Sequence, residues 1–494
     1  MTTEHTADRA IFVVFLLLLV WAPIPLGSNR PWAVAILEVG LFALAIAWLW
    51  LWAFGQVRIH APFRKAWPAI ALLGCWLLLL LVQITPIPDG LIRLVSATRA
   101  AILPLEPLSS MHALSLDRYA SIDFILKTCA YAAAFCLTLV LVRERSRLQT
   151  IAFVILVAAL LQSLYASFLH LAGAHFELFF AYFPHNESAR GTFVNRNHLA
   201  GYLELCLALG IGMMIATLRG GRTHTWKQRL RDTAGWLLSS RVLLRVGLIV
   251  MVVALVMTRS RMGNAAFFAS LLIAGVIGLA LSKYAARSTV ILLVSLIVID
   301  VFVVGSWFGV DNLIKRYGQT TLYRAAEPQA GGAQSAERQS GREQSVEDRM
   351  EPGLFALKMI KDHPLVGGGG GTFYVSFPRY RPAEVEKYYY HAHNDYIQFA
   401  TETGLIGFGL MGLLVLSSFA ITLGTLKQRR DSLARGVAFG VMMGIISIMI
   451  HSWVDFNLQI PANALLFVVL LALGWIAYSL DRRSEEGPEE KYDG

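Results

Sequence analysis

A chain of 494 residues that is 56% hydrophobic and only 15% charged, with a mean hydropathy of +0.56, is too apolar to be one or two soluble domains. Its net charge of +10 invites a nucleic-acid reading, but that reading fails because the basic residues collect in short loops between apolar runs. What remains is an all-α polytopic membrane protein with no nucleic-acid partner.

About twelve apolar runs are long enough to span a bilayer, near residues 10–27, 31–54, 66–86, 122–142, 150–173, 198–218, 242–258, 263–282, 288–309, 403–424, 436–452 and 461–480. The first run lacks a small-residue cleavage site and is soon followed by another, so it reads as a retained helix. Alternate loops are basic: Arg58, Arg64 and Lys65; Arg143, Arg145 and Arg147; the cluster from Arg219 to Arg241; Lys283 and Arg287; Lys427, Arg429, Arg430 and Arg435. This bias puts those loops and both termini in the cytoplasm and predicts one long outer loop. The chain then divides into N-terminal spans (1–185), spans bounded by outer arginines (186–309), a large outer loop (310–402), C-terminal spans (403–480) and a tail (481–494). Cys75, Cys129, Cys136 and Cys206 all fall in apolar runs without metal-ligand spacing, so neither a disulfide nor a zinc site is expected.

Outer loops should be poor in Arg and Lys, which makes Arg190, Arg196, Arg259, Arg261 and Arg349 exceptions that require a reason. Snorkelling to lipid headgroups accounts for any one of them. As a set they suit a diphosphate near the interface, because a guanidinium fork matches phosphate oxygens two at a time.

Within the long loop, residues 325–346 are rich in Gln, Ser, Gly, Ala and charge, a composition that cannot bury enough surface to order itself. Leu354, Leu357 and Ile360 then recur at helical spacing, predicting a short amphipathic helix on the membrane surface. The run Gly367 to Gly371 is no nucleotide loop, since Thr372-Phe373 follows where Lys-Ser/Thr would be needed. A hinge, or a backbone nest beside an anion, is the expected use.

The densest polar stretch comes next: His391, His393, Asn394, Asp395, Tyr396, Gln398 and Glu402, directly before the apolar run from Leu405. Ionisable groups at such a boundary are functional suspects, because apolar residues would serve a purely structural span better. His393-Asn394, nine residues, then Gly404-x-x-Gly407 closely resembles the signature of the O-antigen ligase and polymerase family. Four further stretches resemble that family: Arg190-Gly-Thr-Phe-Val-Asn195-Arg196-Asn197-His198; Ser260-Arg261-Met262-Gly263, where Met262 departs from the usual turn; Asp362-His363-Pro364 to Phe373; and His451-Ser-Trp-Val-Asp455-Phe-Asn457. Together they cover roughly residues 185 to 475; the first spans carry no such motif.

The resemblance implies a GT-C-like membrane fold and transfer of a glycan from undecaprenyl diphosphate at the periplasmic face of a bacterial inner membrane. It also implies lipid A core or a growing glycan as acceptor. Such chemistry needs charge stabilisation on the diphosphate and a base for the acceptor hydroxyl. Arginines supply the first, and His393 is the residue expected to supply the second, since an imidazole can both take and release a proton. His391, Asn394, Glu402, Asn195 and Asp455 are expected to orient His393 or to contact sugar hydroxyls. No metal or cofactor is called for, and a single displacement would invert the anomeric carbon. Ligase, polymerase and protein O-glycosyltransferase share a donor and differ in acceptor, so the sequence leaves them open. A transporter is the competing class, and its polar residues should lie mid-span.

Overall fold

The computed structural model describes residues 7–105, 109–173, 188–217, 240–281, 294–295, 346–382 and 388–480. Its helices are α1 (Arg9–Trp21), α2 (Pro31–Ala53), α3 (Trp67–Ile84), α4 (Arg118–Leu141), α5 (Arg145–Ala172), α6 (Arg196–Thr217), α7 (Ser240–Met257), α8 (Arg261–Leu281), α9 (Val346–Asp362), α10 (Asp395–Gln428), α11 (Ser432–His451) and α12 (Pro461–Ser479). Among the described residues nine of these are long and apolar enough to cross a membrane, while α1 and the apolar part of α7 are shorter. Eleven of the twelve expected spans thus correspond to helices. The expected run at 288–309 lies outside the described residues except for Val294 and Ser295, as do the loop 310–345, the composition-biased stretch except Val346, and the tail 481–494.

The centre of the bundle is α6, α11 and α12. The apolar windows of α6 and α12 are 83% and 89% buried against 28% for α2, whose Ile36, Val39, Ile46 and Trp50 point outward as a lipid-facing surface. Small residues bring α6 and α11 together. Gly436, Gly440 and Gly444 recur every fourth residue on α11 and face Ala208 and Gly212 of α6. A Cβ on Gly212 would stand 2.2 Å from the Gly436 carbonyl oxygen, and one on Gly440 would stand 2.7 Å from that of Ala208. In a bilayer, where apolar burial gives helices little reason to associate, such backbone approach is a main source of adhesion. The two helices run antiparallel, so the start of α6 and the end of α11 meet at one end of the bundle, at His198 and His451.

Helix α10 begins eight residues before the expected span and breaks inside its third turn at Gly404 (φ 67°, ψ −178°). Residues 364–370 fill the break. Leu405 N donates to Pro364 O (2.8 Å) and Ile406 N to Leu365 O (3.2 Å), while Gly368 N and Gly369 N donate to the carbonyls of Thr401 (2.9 Å) and Glu402 (3.0 Å). Every group freed by the broken ladder finds a partner, as a buried backbone requires. Neither Gly404 nor Gly367 has room for a side chain: a Cβ would fall 2.3 Å from Leu365 O or 2.4 Å from the Glu402 backbone. Gln83 of α3 clamps the joint, donating to Glu402 O (2.9 Å) and to Val366 O and accepting from Gly370 N (3.1 Å). The five-glycine run is therefore a buried wedge rather than the expected hinge.

The amphipathic helix expected around Leu354 is α9. Its buried stripe is Ala356 and Met359, packed with Phe373, Phe377, Tyr389 and Ala392, while Leu354 and Leu357 face outward.

Candidate active site

Helices α6, α8, α10 and α12 are among those that start at the end of the bundle that carries the histidine motif, and α7 and α11 are among those that finish there. Asn195 and Asn394 make two of these starts possible. The Asn195 carbonyl side chain accepts from Asn197 N (2.9 Å); that of Asn394 accepts from Ile397 N (3.1 Å), and its amide donates to Trp453 O (2.8 Å). Both asparagines, expected near substrate, act here as helix caps.

Phe456 is the hub. The ring of His391 stacks on it at 4.3 Å, and those of His198 and His393 meet it edge-on at 4.7 and 4.9 Å. Three histidines from two distant stretches thus share one aromatic wall. His391 is the most constrained: its Nδ1 lies 3.1 Å from Gln398 Nε2, and the same amide donates to Glu402 Oε1 at 3.2 Å. Burial first, then the neighbouring imidazoles of His198 and His393, depress its pKa to about 4, so it is neutral at physiological pH. His393 is half-buried, touches Tyr389 edge-on at 6.1 Å, and holds a left-handed backbone (φ 51°). A non-glycine residue kept in that region costs on the order of 1 kcal/mol, a strain that recurs at functional sites.

Behind the hub lies a buried chain of alternating acids and bases. His198 Nε2 stands 3.6 Å from Asp455 Oδ1, His451 Nε2 4.0 Å from Asp455 Oδ2, and His451 Nδ1 2.8 Å from Glu204 Oε1, whose other oxygen accepts from Ser447 (2.8 Å). Asp395 ties the segment after α11 to the start of α10 by accepting from Ser452 Oγ (2.8 Å) and Leu458 N (3.1 Å). Glu402 is fully buried and accepts from the backbone N–H groups of Gly371 and Phe373. The nest expected beside a foreign anion is thus occupied by the protein's own carboxylate.

The arginine-bearing segments adjoin this cluster. Ala189 N donates to Met257 O (2.9 Å), joining the Arg190 turn to the end of α7, and a Cβ on Gly263 would stand 2.6 Å from that of Ala200, which seats the start of α8 on α6. Arg196 and Arg261 are the first residues of α6 and α8, and Arg259 is left-handed (φ 51°) in the turn between α7 and α8. Arg349 falls in α9, with its side chain outside the described residues.

On the other side of His391 opens a cavity of about 1010 Å³ between α2, α4, α10, α11 and α12. Its deeper wall is apolar, with Phe408, Val415, Phe467 and Leu471, and its polar rim holds His391, Gln398 and Glu402. Arg30, Glu38, Asp123 and Lys127 also line it, with Lys127 bonded to Asp123 one turn away. Sequence reasoning missed Phe456, Glu204, Gln83 and this charged group on α2 and α4. For Glu204 and the charged group the signal available was the rule that ionisable residues inside a span are functional suspects.

Residues 246–412 match the O-antigen ligase family model, from within α7 to within α10. The match takes in Arg259, Arg261, His391, His393 and Glu402, and leaves Arg190, Arg196 and Asp455 outside it. No curated protein matches the chain.

Proposed function

From the O-antigen ligase domain at residues 246–412 of this polytopic membrane protein, we propose that it moves a glycan from undecaprenyl diphosphate to a hydroxyl acceptor, lipid A core or a growing glycan. The reaction takes place at the periplasmic face of a bacterial inner membrane, in O-antigen or exopolysaccharide ligation or polymerisation. The observation that carries this reading is a reversal of the usual helix-end preference. Arg196 and Arg261 open α6 and α8, where the helix dipole is positive and a cation is disfavoured by about 0.3–1 kcal/mol. Guanidinium forks at two adjoining helix starts match phosphate oxygens, and backbone N–H groups at helix starts favour the same anion.

In this reading the arginines hold the diphosphate and take up the charge that grows on it as its bond to the anomeric carbon breaks. The acceptor oxygen attacks that carbon from the opposite side while His393 removes its proton, and the leaving diphosphate keeps the electron pair. His391 is stacked on Phe456 and bonded to Gln398, and Glu402 anchors the glycine wedge, roles that suit them to support rather than to proton transfer. The chain from His198 through Asp455 and His451 to Glu204 keeps the Phe456 wall in place. The apolar cavity beside His391 is of a size and character to take a lipid chain.

The test is transfer from purified lipid-linked donor by the protein in detergent, together with analysis of surface glycans from a deletion strain. Transfer to a glycan or lipid acceptor supports the reading. Uptake of a solute into proteoliposomes without any transfer would replace it with transport.

A further inference from the structure

We propose that Tyr374, Tyr388 and Tyr390 form a subsite that stacks on a pyranose ring of the lipid-linked glycan; this deepens, and rests on, the glycan-transfer reading. Tyr374 and Tyr390 lie nearly parallel, with ring centres 6.2 Å apart and 23° between their planes, and Tyr388 stands against Tyr390 at 5.1 Å and 73°. The three rings form one aromatic cluster. Tyr390 is 67% exposed and Tyr388 52%, whereas Tyr389 between them is turned inward against Phe377 and His393.

Interfacial tyrosines of a membrane belt keep an apolar body in lipid and a hydroxyl in water. Here two of the three hydroxyls are bound to the protein instead. That of Tyr374 donates to Asp117 Oδ2 (3.0 Å), and that of Tyr388 donates to the Tyr374 carbonyl (3.0 Å). These bonds fix the rings of Tyr374 and Tyr388, while Tyr388 and Tyr390 stay exposed. One face of a pyranose presents C–H groups with partial positive charge, which the negative face of an aromatic ring attracts. The location fits the same ligand: Tyr374 and Tyr390 line the cavity beside His391, and Tyr390 is three residues from His393.

The experiment measures binding of two probes to the purified full-length protein: undecaprenyl diphosphate without sugar, and the same lipid carrying one glycan repeat. Tyr390→Ala is expected to weaken the sugar-bearing lipid by roughly three- to tenfold and to leave the sugarless lipid unchanged. Tyr390→Phe should bind both as the native protein does, because the ring rather than the hydroxyl makes the contact. Tyr388→Ala should act in the same direction as Tyr390→Ala, more weakly. Equal weakening of both lipids, or of neither, by Tyr390→Ala would overturn the subsite and leave the transfer reading standing. If the native protein binds neither lipid, the donor reading falls and takes the subsite with it.

Discussion

Where α4 hands over to α5, Arg147 and Arg143 close on Asp8, which is wholly buried, and Arg145 pairs with Asp431 before α11. At the opposite end, the buried carboxylates Glu204, Asp395, Glu402 and Asp455 are held by imidazoles, hydroxyls and N–H donors, and arginines open two helices against the dipole. Ion pairs at the first end fasten helices to one another. At the other end Glu204 and Asp455 stand against histidines, and Asp395 and Glu402 hold hydroxyl and N–H donors. The lesson is that an arginine's role follows from which helix end it occupies and which acids its neighbours have already engaged, a distinction that net charge alone conceals.

The comparison is broken most sharply by His393→Ala, which should lower turnover by about 10²–10⁴-fold, the usual worth of a general base, with lipid binding nearly unchanged. Asp8→Ala should do the reverse. Leaving Arg147 and Arg143 buried without their carboxylate costs on the order of 3–5 kcal/mol of stability, read as a lower unfolding temperature, while the protein that remains folded turns over normally. Next in size is Gly404→Ala. A backbone region nearly confined to glycine, together with a Cβ 2.3 Å from a carbonyl oxygen, should cost about 1–3 kcal/mol and raise protease sensitivity near the histidine motif. Arg196→Lys and Arg261→Lys should each weaken donor binding and transfer together, roughly tenfold, because an ammonium cannot reproduce a two-point contact.

A separate effect is on pH dependence. The pKa of His391 in the folded protein lies near 4, below its ordinary 6.5, so its contribution to stability is whole above pH 6.5 and is lost as pH falls towards 4. His391→Gln should therefore reduce the loss of stability between pH 6.5 and 4, followed by thermal unfolding across that range.

The spans were legible because hydropathy over twenty residues is a strong signal and the bilayer leaves helices few alternatives. The beginning of α10 was not, since Asp395, Gln398 and Glu402 read as loop residues when their partners, from Gln83 to Ser452, are distant in sequence. The glycine run gave its conformational freedom but not its use, which depends on the break at Gly404. The spacing of Leu354 and Leu357 predicted a helix and could not say that Ala356 and Met359 would form its buried face. His393 and the arginines stood out through local motifs. Phe456 did not, because an aromatic beside an apolar run carries no signal until three histidines are seen around it.

The central claim is that the histidine end is a built anion site and the other end a fastening. A structure of the protein with undecaprenyl diphosphate glycan bound tests it most directly. The diphosphate should lie within hydrogen-bonding distance of the Arg196 and Arg261 guanidinium groups at the starts of α6 and α8, with the anomeric carbon on the His393 side of Phe456. A diphosphate bound instead at Arg30 and Lys127, or at the end of the bundle that holds Asp8, would contradict it.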